Sequence, residues 1–247
     1  MKADPSVQLR LLDVQELDSR AAQLRHQRTS LPALAEIASL EQERLGIVDQ
    51  MRDARIVVDD LTAEQKQADA DVEQVRVRRQ RDRDRMDQGL ITSPKDLERM
   101  QGELVSLERR IATLEDAELE VMEKLEEAQQ MHDALQIRVA DLDAELAGLI
   151  AARDESWQGL DAELAEVGSQ RGPSAEGMPE DLMALYDRLR EQKGGVGAAE
   201  LRARRCGGCQ LTLDNAELAR IKALADDQVV RCEECSRILV RTAESGL

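Results

Sequence analysis

The chain has 247 residues, 34% of them charged, and a formal net charge of −17. It contains no Phe, one Trp (Trp157) and one Tyr (Tyr186). This excludes one large globular core, where aromatic rings supply much of the buried area, and a protein that coats duplex DNA with its bulk surface. Leu, Val, Ile, Met and Ala must do the burying, and with so many charges this is the composition of long amphipathic helices.

The first predicted helix spans about 6–29. Val7, Leu11, Val14, Leu17, Ala21 and Leu24 fall three or four residues apart and share one face. Pro5 and Ser6 suit its start. Thr29-Ser30-Leu31-Pro32 is a break, because Pro32 disfavours helix at Leu31 and fits the first turn of a new helix. The second helix spans 32–87. From Ile47 its heptads run through Met51, Ala54, Val58, Leu61, Gln65, Ala68, Val72 and Val75, then turn polar at Arg79 and Asp82 before Met86. Residues 88–93 form a tip. Ser93 can cap the next helix, Pro94 suits its first position, and Asp96 completes a capping box.

The third helix, 94–168, keeps one register for about ten heptads, with Leu97, Leu104, Leu107, Ile111, Leu125, Leu135, Leu142 and Leu146 on its seam. At 1.5 Å per residue it would be roughly 110 Å long. A short turn makes neighbouring helices antiparallel, so residues 1–168 are expected to form a coiled-coil hairpin. Glu118, His132 and Arg153 interrupt the seam and are read as register-fixing residues. A linker at Gly168–Gly177 and a short helix follow within 169–194, and 195–247 forms a separate module. Trp157 and Tyr186 are expected where hairpin, short helix and module meet.

In that module Cys206-Gly207-Gly208-Cys209 is followed, after 22 residues, by Cys232-Glu233-Glu234-Cys235. Two CxxC turns bring four thiolates together in the way tetrahedral Zn2+ requires, with no open position, so the site is structural. Iron on four thiolates and a redox dithiol pair are the competing readings. Gly207 and Gly208 let the first turn bend freely. Asp214 and Glu217 can cap a short helix ending near Leu224. Apolar pairs flank both turns, and the whole reads as a zinc ribbon of short hairpins. The fold class is therefore mainly α: a long antiparallel helical hairpin followed by a C4 zinc ribbon.

A long helical hairpin ending in CGGC…VVRCEECSRILV resembles the bacterial C4-type zinc-ribbon family of coiled-coil proteins, also called the zinc-ribbon RING-7-type family. The resemblance covers essentially the whole chain and is most specific at residues 206–213 and 229–240. It carries the four zinc ligands onto Cys206, Cys209, Cys232 and Cys235. Ser236 stands where the second knuckle would be expected to hold Gly. The resemblance implies a hooked hairpin with the ribbon at its open end. It also implies regulatory roles that differ between members: binding an alternative sigma factor or an mRNA in flagellar regulation, or serving secretion components.

Three surfaces are candidates for partner contact. Arg76, Arg78, Arg79, Arg81, Arg83 and Arg85 form a basic run in an acidic chain. It is either a site for phosphates or acidic partners, or a solvated helix end whose arginines pair with nearby carboxylates. Leu90 and Ile91 either close the tip over Met86 and Leu97 or expose an apolar patch. Arg202, Arg204 and Arg205, with Arg231 and Arg237, either balance the net −2 of a four-thiolate zinc centre or contact a partner.

No nucleophile elbow, phosphate-binding Gly loop or His-containing metal site is present, so no catalytic residue is expected. Met1-Lys2-Ala3-Asp4-Pro5 is unlike a signal peptide and no run is long enough to span a membrane, so a cytoplasmic protein is expected. The leading reading is a protein–protein adaptor. An RNA-binding regulator acting through the arginines is the second, and a spacer dimerising through its coiled coil is the third. RNA contact would be backbone-dominated, since no aromatic residue is near for base stacking.

Overall fold

The computed structural model describes residues 1–247. Its elements in chain order are α1 (Pro5–Thr29), α2 (Pro32–Asp87), α3 (Pro94–Ala175), α4 (Glu180–Gln192), β1 (Ala198–Arg202), β2 (Arg205–Cys206), α5 (Asn215–Ala223), β3 (Val230–Arg231) and β4 (Ile238–Arg241). The fold is a long helical hairpin with a small C-terminal strand-rich ribbon. Its contacts group into two units, Met1–Leu34 with Ala151–Leu247, and Ala35–Ile150. These units cut across the expected 1–168, 169–194 and 195–247 segments, because α1 packs directly on the ribbon's sheet.

In the unit Ala35–Ile150, α2 and α3 run antiparallel along the predicted seam. Ile37, Val58 and Val72 of α2 and Leu107, Ile111, Leu125, Leu142 and Leu146 of α3 are buried. Cross-helix ion pairs flank the seam: Arg44 with Asp143, Arg138 with Glu43 at 2.6 Å, and Arg76 with Glu115 at 2.5 Å. Such exposed pairs each contribute little to stability, but their matched spacing along both helices agrees with one register. Glu118 lies against Asp69, and this hydrogen-bonded carboxyl contact raises its pKa above the usual carboxylate range.

In the other unit a four-stranded sheet has the order β2-β1-β4-β3. Its central strands, β1 and β4, are parallel, from Ala198 opposite Ile238 to Leu201 opposite Arg241. Alternation along the strands gives the sheet two covered faces. Ala198, Ile238 and Val240 meet Leu11 and Val14 of α1 and Leu182, Tyr186 and Leu189 of α4. Ala199, Leu201 and Leu239 meet Leu218 and Ile221 of α5 and the cysteines. Gly197 must be glycine, since a Cβ there would lie 2.5 Å from the Tyr186 carbonyl oxygen.

α1 docks with polar groups as well as apolar ones. Gln8, Gln15 and Asp18 are buried beside Leu11 and Val14. The Gln15 side chain accepts from the Gly197 and Ala198 amides at 2.7 and 3.3 Å and donates to the Gly195 carbonyl. Gln8 donates to the carbonyls of Ala3 and Asp226. The Ala3 amide donates to the Asp227 carbonyl and the Val229 amide to the Met1 carbonyl, which stitches the N-terminus beside β3. Asp18 accepts from Arg171 at 2.7 Å and from the Tyr186 hydroxyl at 2.9 Å, with Arg190 at 3.4 Å. Burial would raise its pKa, but these donors and charges outweigh burial and hold it below the usual carboxylate range.

Three local expectations change. Gly168–Gly177 is not all linker: α3 continues to Ala175 with Pro173 inside it. Proline removes a helix hydrogen bond, yet tertiary contacts hold the segment, since Arg171 is pinned to Asp18 and Arg10 donates to the Glu176 carbonyl. Tyr186 does pack in the core, but Trp157 does not reach the ribbon. Trp157 donates to the Arg28 carbonyl and lies with the guanidinium groups of Arg28 and Arg153 4.5 and 4.6 Å from its ring centre. The start of α1 is capped by Asp4, whose carboxylate accepts from the Ser6 amide.

Candidate metal centre

The two CxxC turns converge between the paired strands. The Sγ atoms of Cys206, Cys209, Cys232 and Cys235 all lie within 4.8 Å of one another. Cys206 and Cys235 are 3.8 Å apart and Cys209 and Cys232 3.9 Å apart. A Zn–S bond of about 2.3 Å gives a tetrahedron with edges of about 3.8 Å, so the donor set fits zinc. No two sulfurs are bonded.

The two knuckles are near copies, 26 positions apart. The Cys206 amide donates to the Leu211 carbonyl and the Cys232 amide to the Arg237 carbonyl, both at 3.0 Å. The Gln210 and Ser236 amides donate back to Cys206 and Cys232, both at 2.8 Å. Arg205 and Arg231 repeat the same brace: the Nε of each, just before its first cysteine, donates to the carbonyl of Gln210 or Ser236. Gln210 and Ser236 both sit in the left-handed region, at φ of 63° and 64°. That is the conformation that makes glycine the expected residue at Ser236. Gly207 and Gly208 serve another purpose than free bending, because neither has positive φ. A Cβ on Gly208 would lie 2.6 Å from the Arg237 side chain, and one on Gly207 3.2 Å from the Glu200 carbonyl oxygen. They are small because β1 and Arg237 cross directly over the first knuckle.

The thiols are unevenly tuned. Burial pushes Cys206 up to about 12 and raises Cys232 as well. Burial also opposes ionisation of Cys235, but the Arg237 amide and guanidinium overcome it and bring the thiol down to about 7. Thiolates held this close together repel one another unless a cation compensates them.

Family comparisons agree with this geometry. Residues 14–194 match the model of the CT398-like coiled coil hairpin domain, and residues 205–239 match that of the C4-type zinc ribbon domain. The chain belongs to the CT398-like coiled-coil hairpin family. Its zinc ribbon takes one structural Zn2+. A Mycobacterium tuberculosis relative is 38% identical over 241 residues, 98% of each chain, and one from Mycobacterium leprae is 28% identical over 90% of this chain and 95% of that one. A solved Mycobacterium smegmatis structure, 35% identical, superposes with a TM-score of 0.84 over 98% of this chain and all of that one. CT398 from Chlamydia trachomatis, 18% identical, shares the fold with a TM-score of 0.69 over 96% of this chain and 98% of that one.

In this CT398-like chain the ribbon arginines are occupied. Arg202 pairs with Glu244 at 2.7 Å, Arg204 donates to the Gly246 carbonyl, and Arg237 donates to the Val196 and Lys193 carbonyls. In the basic run Arg78 pairs with Glu103 and lies 3.9 Å from the buried Asp82, and Arg81 lies 3.6 Å from Asp82. Arg76 holds Glu115, while Arg79 reaches only Glu108, at 3.9 Å. Arg83 and Arg85 have no ion-pair partner. Leu90 is 64% exposed and does not close the tip, whereas Ile91 is half-buried.

The polar docking set of α1 (Gln8, Gln15 and Asp18) lay outside the sequence reading. Its seven- and three-residue spacing follows the apolar stripe by one position, and that spacing was the available signal. The equal spacing of Arg205 and Arg231 from their cysteines was another.

Proposed function

We propose that the protein is a non-enzymatic, zinc-dependent coiled-coil adaptor that binds protein partners in the cytoplasm, in a regulatory setting such as transcription or secretion. Cys206, Cys209, Cys232 and Cys235 hold the ribbon's zinc, which keeps the ribbon folded and performs no chemistry. The observation that carries the adaptor reading is the apolar surface left outside the hairpin's own seam. Ile56, Leu119, Met122, Met131 and Ile137 are 42–64% exposed on helices whose seam is already filled from within. Exposed aliphatic and Met side chains in such number are what a partner helix or groove would cover.

RNA binding is the weaker reading. Most of the arginines it would use are committed to carboxylates or backbone carbonyls, although Arg83 and Arg85 remain without ion pairs. The test is a pull-down of the tagged protein from its native lysate, with half the lysate treated with ribonuclease. Proteins retained at fixed stoichiometry after treatment are the expected result. Recovery of RNA, or of proteins that vanish with it, overturns the adaptor reading.

A further inference from the structure

Near the tip of the hairpin, α2 and α3 leave a groove of about 360 Å³ whose lining includes Arg79, Arg83, Met86, Leu104 and Val105 and also the carboxylates of Asp87 and Glu108. Val105 is 48% exposed, and Met86 and Leu104 are half-buried. The groove therefore has an apolar floor that nothing covers. The Arg79 Nε is buried with no hydrogen-bond partner. The Arg79 side chain is 32% exposed, and its one carboxylate neighbour, Glu108, stands 3.9 Å away, so an incoming carboxylate can reach its terminal nitrogens. Arg83 beside it has no carboxylate partner. Residues 76–101 hold eight Arg and Lys against five Asp and Glu, in a chain whose net charge is −17.

Resting on the adaptor reading, we infer that this groove docks an acidic amphipathic helix of a partner protein: an aliphatic side chain enters over Met86, Leu104 and Val105, and a carboxylate one turn away binds Arg79 and Arg83. Three features select that chemistry. The weakly paired Arg79 and the unpaired Arg83 guanidinium call for an anion. The aliphatic floor calls for an apolar group three or four residues from it, the spacing a helix laid in a groove supplies. A phosphodiester chain would satisfy the cations and leave the floor wet, and no aromatic ring lies between residues 76 and 108 to stack a base.

The experiment titrates the full-length, zinc-loaded protein by fluorescence anisotropy against three labelled probes. One is a helical peptide of about three heptads with Leu and Glu at that spacing. The second is the same peptide with Lys for Glu, and the third is a single-stranded oligonucleotide. The acidic peptide is expected to bind at least about tenfold more tightly than either of the others. Arg83→Glu and Val105→Glu, both on exposed positions, are each expected to weaken it about tenfold with helicity and zinc content unchanged. Lys124→Glu, on an exposed position elsewhere on α3, leaves it unaltered. Equal binding of the oligonucleotide, no loss in the two groove variants, or light scattering showing the groove filled by a second copy of this chain would each overturn the inference. The same variants used in the lysate pull-down separate the two claims. A partner lost with Arg83→Glu supports both. A partner retained equally by wild type and variants leaves the adaptor reading standing and removes the groove. No partner on the wild type removes both.

Discussion

The two contact units of this chain bury their interiors by different means. Within Ala35–Ile150 the core is a repetitive line of aliphatic side chains, with Val72 and Leu142 at 1% and 0% exposure. Each position is helped mainly by its neighbours one turn away. Within Met1–Leu34 and Ala151–Leu247 the interior is non-repetitive: a small sheet, a buried carboxylate with three donors, two buried glutamines and four cysteines. The first kind of core tolerates local loss, because each heptad is a small increment. The second kind concentrates stability in a few groups that have no substitute, since an unpaired buried charge or an empty thiolate site costs more than a missing methyl group.

The comparison is broken most severely by removing the metal. Chelation, or Cys206→Ser, should unfold the ribbon, because a structural zinc site contributes about 10–16 kcal/mol of binding free energy to folding. Amide NMR should show residues 195–247 losing dispersion, while far-UV circular dichroism keeps most of its helical signal. Simultaneous loss of both would show that the hairpin has no independent core.

Asp18→Ala comes next, at about 3–5 kcal/mol, since Arg171, Arg190 and the Tyr186 hydroxyl lose their common acceptor. Asp18 has its pKa lowered in the folded state, so its contribution is complete above the unfolded carboxyl value of roughly 3.9. That contribution is lost as pH falls through the lower folded value. Denaturant melts of the variant should therefore be less stable at pH 7 and should lack part of the wild type's acid sensitivity.

Leu142→Ala, in the repetitive seam, should cost about 2–5 kcal/mol without altering zinc content or ribbon spectra. An effect larger than that of Asp18→Ala would reverse the ranking of the two cores.

Ser236→Gly should be a gain. A residue with a Cβ at φ 64° carries a steric cost of about 1 kcal/mol that glycine avoids. Competition with a chromophoric chelator should show slower zinc release.

The smallest effect is Glu118→Gln. The Asp69 contact raises the Glu118 pKa, so stability falls as pH rises from the unfolded carboxyl value through the folded one. The substitution should raise the melting temperature slightly at pH 7 and do nothing near pH 4, where Glu118 is already protonated.

The hairpin was legible because its information is local and repeated. Spacing alone placed Leu107, Ile111, Leu125, Leu142 and Leu146 on the seam, and all are buried. Helix ends at Thr29, Asp87 and Pro94 followed from Pro32, from the glycine turn and from Pro94 at the first helical position. The convergence of the cysteines was legible because two CxxC turns have few other uses in one chain. What stayed hidden needed partners distant in sequence. Gly168 and Pro173 read as a linker, but Asp18, 153 residues from Arg171, keeps that stretch helical. Gln8 and Gln15 sit one position after the apolar stripe, and only the fold sets Gln15 against the Gly197 and Ala198 amides and Gln8 against the Ala3 and Asp226 carbonyls.

The sequence by itself determined the helical hairpin, its register and a four-thiolate metal module, since heptad periodicity and CxxC spacing express short-range geometry that any surroundings would respect. The tertiary structure alone decided that α1 belongs to the ribbon's core and that most of the arginines are already engaged. It also left the groove at Arg79 and Val105 open. Each of these depends on which distant group arrives to satisfy a buried donor, acceptor or charge.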